Sequence, residues 1–333
     1  MTGGSPPARP DRARGPANVV FFGSGAFALP LLDALVALPG VDLVAVVSTP
    51  DRPAGRDAVP TPTPVAGRAR EVGLPLLQPR SLRVPEAARA LAALHPIVVV
   101  LADYGRIVPE ALLAVPAAGF LNLHPSLLPR HRGATPIPAA IAAGDPETGV
   151  TLFRMDAGMD TGPMVATTRR ALDGTETGPL LEAVLAADAA ALLAAMLPGW
   201  LAGELSAIPQ PEAGTTITRP LRREDGRLDP ALGADALERL VRAHLPWPGS
   251  FVETPLGRLI VTRAAVGPAE AADVAATIVA DGDGLALATH DGRLRLLDVR
   301  LAGARPMTAA ELRRGRPALV GSTVVPAVGE SPA

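Results

Sequence analysis

Between residues 18 and 203 the chain alternates short, nearly unbroken apolar runs with segments of helical period. Asn18–Phe22, Val41–Ser48 and Ile97–Leu101 are rich in β-branched and aromatic residues and show no in–out polar alternation. Strands of that kind need cover on both faces, which a parallel sheet flanked by helices provides. Helical stretches follow them, to about Leu38, over Val65–Val72 and over Glu86–Leu94, with Leu74–Leu77 as a short strand. Phe120–Leu123, Val150–Met155 and Met164–Arg169 read as further strands, Glu110–Val115 and Pro138–Ala143 as short helices, and Leu180–Leu201 as a long one. The expected fold is therefore α/β, a doubly wound, Rossmann-like layer.

The 333 residues exceed one ordinary domain, and the pattern changes past residue 203. Ser206–Pro220 has no helical period and reads as a linker. Asp235–Ala243 is helical, and five short strands follow: Ser250–Thr254, Arg258–Ala264, Ala276–Ala280, Leu285–Thr289 and Arg293–Val299. Their length and turn signals predict a small C-terminal β-barrel of OB-like kind. The expected organisation is a disordered extension over 1–17, a first domain over 18–203, a linker over 204–217 and the barrel over 218–325.

Composition excludes several classes. The hydrophobic share of 48% supports a sizeable core. A net charge of −2 rules out coating nucleic acid by bulk charge, although every basic residue is arginine and a local patch stays possible. Without cysteine there is no disulfide, thiolate zinc site or cysteine nucleophile. Arg9, Arg12 and Arg14 before the apolar stretch from Asn18, with Ala26-Phe27-Ala28 beyond, imitate a secretory leader. Gly23-Ser24-Gly25 splits that stretch, as a strand, turn and helix require. Glu182, Asp188 and Pro198 interrupt the most apolar segment, so no membrane span is expected.

Two motifs compete for the chemistry. Gly23–Ala28 fits G-x-G-x-x-A between a strand and a helix, the fingerprint of a dinucleotide held on helix amides. Any α/β domain can need such a turn, and Asp51 lies past Thr49-Pro50 rather than at a clean strand end. Phe120–Ile137 says more. Asn122 and His124 alternate with Leu121 and Leu123, so both polar side chains leave one face at the end of a strand. An amide donor beside an imidazole suffices for acyl transfer without a covalent intermediate; alternatively, Asn122 caps a turn and His124 is structural. Arg154–Gly162 is a glycine-punctuated loop with two carboxylates, of which Asp160 could orient His124 and Asp156 suits a turn.

Asn122–Pro129 with Arg132-Gly133-Ala134, followed by Asp156 and Asp160-Thr161-Gly162, resembles the folate-dependent formyltransferases. Pro50–Arg56 and Leu237–Ala243 with Pro246-Trp247-Pro248 are similar to the branch of that family acting on methionyl-tRNA. The resemblance runs in order from Asn18 to about Val320. It implies Asn122, His124 and Asp160 as the catalytic trio. Ser126, Leu127, Leu128 and Pro129, with Asp103, Tyr104 and Gly105, are implied around 10-formyltetrahydrofolate. Arg52 and Arg56 are implied at the tRNA. The implied reaction moves a formyl group to the α-amine of methionyl initiator tRNA without metal, in a cytoplasmic monomer. The chain departs from the family in placing Asp103 where a small apolar residue is usual, and Asp57-Ala58 where lysines follow. Competing readings are a formyltransferase for a small amine (an amino sugar nucleotide or glycinamide ribonucleotide), an NAD-dependent oxidoreductase and a non-catalytic RNA-binding protein.

Overall fold

The structure, a computed structural model, describes residues 15–54 and 59–325; nearly all of the extension expected over 1–17, and Arg56, lie outside the described residues. The chain divides into two compact units. The first comprises residues up to Pro136 together with Glu147–Ala171 and Glu182–Thr218, and the second comprises Ile137–Pro146, Leu172–Leu181 and the residues from Arg219 on.

The first unit is built on a seven-stranded sheet. Its strands are β1 (Ala17–Gly23), β2 (Val41–Val47), β3 (Leu76–Leu77), β4 (Val98–Ala102), β5 (Phe120–His124), β6 (Glu147–Arg154) and β7 (Met164–Ala171). Their order is β7-β6-β5-β4-β1-β2-β3. The pairs β1–β2, β1–β4, β2–β3 and β4–β5 are parallel, whereas β6 runs antiparallel to β5 and β7 antiparallel to β6. Val19–Phe22 and Val98–Val100 are essentially inaccessible to water, which explains why these strands read as unbroken apolar runs. The stretch that imitated a secretory leader is thus a central strand.

Successive strands leave β1 toward β2 on one side and β4 on the other, so the topological switch lies between β1 and β4, where open α/β sheets form crevices. Pro64 starts the helix Pro64–Glu71, and the Thr63 hydroxyl accepts from the Ala66 amide at 3.1 Å. Between β2 and that helix, Arg52–Ala54 pairs antiparallel with Val59–Thr61. Extended, proline-containing segments can pair along one edge even without a hydrophobic pattern.

Helix Gly178–Leu201 is long and apolar enough by length and composition to cross a membrane, despite the three residues that interrupt its apolar sequence. Its charged residues nevertheless have partners: Asp188 forms a two-pronged pair with Arg170 at 2.8 and 2.9 Å, and Glu182 accepts from the Phe27 amide. Leu185, Ala189, Leu193 and Leu197 are fully buried, as on a core helix.

The second unit holds a curled antiparallel half-barrel. Strands β8 (Ser250–Thr254), β9 (Gly257–Gly267), β10 (Ile278–Asp281), β11 (Gly284–Ala288) and β12 (Arg293–Leu301) pair in the order β8-β9-β12-β11-β10, with Met307–Thr308 added on β12. Leu237 and Val241 from helix Ala234–Ala243 pack with Leu259, Val261, Leu285, Leu287 and Leu294 in its core. Inside, Arg293 pairs with Asp273 at 2.6 Å, which satisfies a buried guanidinium.

Candidate active site

Asn122 and His124 end β5 and are 8% and 5% exposed, packed between β4 and β6. The His124 ring is fixed from one side. Its Nε2 lies 2.8 Å from the His131 carbonyl oxygen. A carbonyl only accepts, so Nε2 carries the hydrogen and Nδ1 is the nitrogen left to exchange a proton. Nδ1 stands 3.6 Å from Asp160 Oδ2, just beyond a direct hydrogen bond. Among the described residues no hydrogen-bond partner is found for the Asn122 amide, so its donors are uncommitted.

Asp160 reaches His124 by an indirect route. Arg154, the last residue of β6, pairs with Leu121, three positions before His124. The loop beyond it therefore runs back along β5 by roughly 10 Å at the rise of a strand. At its start Asp156 accepts from the Gly158 amide at 3.0 Å and the Thr161 hydroxyl at 2.7 Å, so this carboxylate is spent on the turn. At its far end Asp160 adopts φ +53° and takes the Gly133 amide on Oδ2 at 2.7 Å.

Residues 131–135, which face Asp160, are tied to the segment read as a linker. Thr216 Oγ1 accepts from the His131 amide at 2.7 Å, Thr218 Oγ1 donates to the Arg132 carbonyl at 3.0 Å, and Arg132–Gly133 pairs parallel with Ile217–Thr218. Gly133 has φ +100°, and a Cβ there would stand 2.1 Å from the Thr218 carbonyl oxygen, so only glycine permits this approach. Gln210 joins the same assembly, accepting from Arg132 and donating to the Asp160 and Gly162 carbonyls. None of these contacts was expected. The available signal was Gln210 itself, a lone polar side chain between two prolines that stiffen its backbone. A cavity of about 380 Å³ opens beside it, lined by Arg132, Asp156, Thr161, Gln210 and Glu212 among others.

The remaining expected residues divide. Ser126, Leu128 and Pro129 are buried inside their own loop, where Ser126 Oγ donates to the Arg130 carbonyl at 2.7 Å and the Leu128 amide to Thr151 Oγ1 at 3.1 Å. Leu127 is half-buried. Tyr104 is buried against Phe22, edge to face at 5.2 Å, and its hydroxyl has no partner among the described residues. Asp103 and Gly105 are open to solvent at the end of β4. Arg52 is exposed on its hairpin. Asp51 is held by Gln78 at 2.7 Å and Arg70 at 3.0 Å.

The glycine turn is occupied by protein. The Ser24 and Gly25 amides donate to the Asp103 carbonyl at 2.9 and 3.2 Å, and a Cβ on Gly25 would overlap Asp103 Oδ2. The amides that a dinucleotide phosphate needs are already taken, which removes the support for the nicotinamide reading. Although Asp103 keeps contact with solvent, the surrounding protein and then the nearby Glu182 carboxylate push its carboxyl up to about 6. A raised carboxyl contributes stability while protonated, in full below its ordinary value near 3.8, and loses that contribution as pH rises through about 6. We therefore expect Asp103→Asn, which also tolerates the φ of +44°, to raise Tm at about pH 8 and to leave it unchanged at about pH 3.5. An equal Tm change at both pH values contradicts this account of the carboxyl.

Comparison with known proteins identifies the family. Residues 17–196 match the formyl transferase family model and residues 220–317 match the model of the formyl transferase C-terminal domain. The methionyl-tRNA formyltransferase of Chloroflexus aggregans is 43% identical over 297 residues, covering 88% of this chain and 95% of the relative. That of Halorhodospira halophila is 45% identical over 312 residues, covering 92% and 99%. Among solved structures, the N-formyltransferase of Helicobacter canadensis in complex with folinic acid and dTDP-3-aminofucose aligns with a TM-score of 0.61 at 14% identity, covering 87% of this chain and 100% of that one. HypX from Aquifex aeolicus in complex with tetrahydrofolic acid aligns with a TM-score of 0.57 at 16% identity, covering 89% and 46%. The two structures share the fold; the sequence matches extend through both units, and on them the chain belongs to the formyl transferase family.

Proposed function

We propose that this chain transfers the formyl group of 10-formyltetrahydrofolate to the α-amino group of methionyl initiator tRNA, with Asn122, His124 and Asp160 as its catalytic residues. The observation that carries the reading is the His124 ring, held through Nε2 by the His131 carbonyl with Asp160 Oδ2 3.6 Å from the free Nδ1. Beside it, the uncommitted Asn122 amide stands ready to donate. A folate-type donor suits the strand ends nearby, where Tyr104 leaves a buried hydroxyl without a partner among the described residues and Asp103 and Gly105 face solvent. When bound, the donor supplies an activated formyl carbon.

The chain's own residues then do three things. Asn122 donates to the formyl oxygen as negative charge grows there. As the bond from the α-amine to the formyl carbon forms, His124 takes the amine's proton at Nδ1, since Nε2 is committed, and returns it to the donor nitrogen as the bond between that nitrogen and the formyl carbon breaks. Asp160 stabilises the imidazolium and keeps its orientation, itself held by the Gly133 amide. Several residues assigned to the donor, Ser126, Leu128 and Pro129, serve by giving their loop its shape. The second unit, with its C-terminal-domain match over 220–317, favours a macromolecular acceptor over a small amine.

Formylation assays with aminoacylated initiator tRNA and with elongator methionyl-tRNA test the reading. We expect rapid formylation of the initiator alone. Formylation of an amino sugar nucleotide instead, with no turnover of either tRNA, would establish the small-acceptor reading. Arg52 and Arg56 are proposed as RNA contacts. Replacing both by alanine should weaken tRNA use and flatten its salt dependence by about one slope unit per lost phosphate contact, with the formyl-donor KM unchanged. A rise in donor KM at constant tRNA affinity assigns this loop to the folate side instead.

A further inference from the structure

Gln210 belongs to a segment that reads as a connector, yet its side-chain amide has no free hydrogen-bonding group. The Nε2 hydrogens go to the carbonyls of Asp160, at 2.7 Å, and Gly162, at 2.8 Å. Its Oε1 accepts from both Nη2 and Nε of Arg132, at 2.6 and 3.1 Å. The amide cannot be turned over, because that would set oxygen against two carbonyls and NH2 against a guanidinium. Pro209 and Pro211 on either side restrict the backbone that carries it.

These bonds close a ring around one carboxylate. Asp160 Oδ2 takes the Gly133 amide, Gly133 follows Arg132, Arg132 grips Gln210, and Gln210 grips the Asp160 carbonyl. The ring holds a residue that would not keep its conformation alone, since Asp160 sits at φ +53°. Displacing the Asp160 main chain necessarily displaces the carboxylate that faces His124 Nδ1.

We propose that Gln210 is a positioning residue for the reaction, holding Asp160 in the left-handed conformation that points its carboxylate at His124. This rests on the assignment of Asp160 under the proposed function. Gln210 contacts neither substrate in this role; it acts through Asp160 and fixes only its geometry.

The test uses Gln210→Glu, which keeps the shape and the Arg132 contact and removes both donors, with Gln210→Met as a neutral second variant should the first fail to fold. We expect kcat to fall roughly ten- to hundredfold, the scale of a misplaced catalytic group, with KM for both substrates within about twofold. In an Asp160→Asn background the same replacement should cost less than about twofold, because the residue it acts through is already disabled. A variant that folds and keeps wild-type kcat, or losses that multiply in the double variant, overturns the proposal. A second readout does not depend on the acceptor. The ring 15N titration of His124, assigned by its loss in His124→Gln, should move in the neutral Gln210→Met variant in the same direction as in Asp160→Asn, since both weaken the carboxylate's hold at Nδ1 without adding charge. An unmoved titration overturns the positioning role. Absence of formylation by the wild-type chain, with the His124 titration moving as expected, instead overturns the proposed acceptor.

Discussion

Asn122→Ala should reduce kcat for formyl transfer by roughly 10² to 10³, the cost of removing one donor from a developing oxyanion. KM for donor and acceptor should change little, because the interaction strengthens in the transition state rather than on binding. The expectation comes from the amide's position: 8% exposed at the end of β5 and without a partner among the described residues. A structural asparagine at such depth ordinarily spends its amide on neighbouring carbonyls. Because no internal bond is lost, Tm should stay near the parent value. Steady-state kinetics with thermal denaturation separates the cases. Turnover within a few-fold of wild type in a folded variant removes Asn122 from the chemistry, and a large Tm loss returns it to a structural role.

The second large effect concerns His124 and Asp160 together. Either His124→Ala or Asp160→Asn should lower kcat by roughly 10² to 10⁴, the range of a positioned acid–base group. The double variant should be little worse than the poorer single. One arm of the ring is already fixed by the His131 carbonyl at 2.8 Å, so the carboxylate's contribution is exerted at Nδ1. Without the imidazole, Asp160 has nothing to orient. Full additivity in a double-mutant cycle would mean that the two act independently and that Asp160 is a turn residue, as Asp156 is.

The parts of the structure visible in the sequence share a physical cause. Val19–Phe22 and Val98–Val100 are covered on both sides, so burial shaped them into unbroken apolar runs that can be read one by one. Asn122 and His124 were legible for the complementary reason: two polar groups interrupting such a run at alternate positions share a face. The approach of Asp160 was not. It depends on β6 running antiparallel to β5 and on the following loop turning back, and neither is encoded in residues 154–162 themselves. Gln210 lay beyond reach because its partners are 48 to 78 positions away and an extended, proline-flanked segment carries no period. The glycine turn misled in the opposite way. Its local pattern suits a dinucleotide, but the Asp103 carbonyl, which arrives from β4, already fills its amides. Arg52, which the resemblance implied at the tRNA, lies on a strand pairing that proline-rich composition concealed.

The attachment of residues 208–218 to the loop after β5 also bears on the order in which the molecule assembles. Thr216 and Thr218 bond to His131 and Arg132 across 85 and 86 positions, and Gln210 to Asp160 across 50. Contacts that distant incur their loop-closure entropy only once the intervening sheet and helix are in place, so they form late in folding. The same strip is narrow and mostly exposed, so it is a segment that can detach by sub-global opening while the sheet stays native. Under the proposed role of Asp160, competence for chemistry and possession of the fold are therefore separable: the sheet can be complete while the carboxylate opposite His124 is not yet, or no longer, in place.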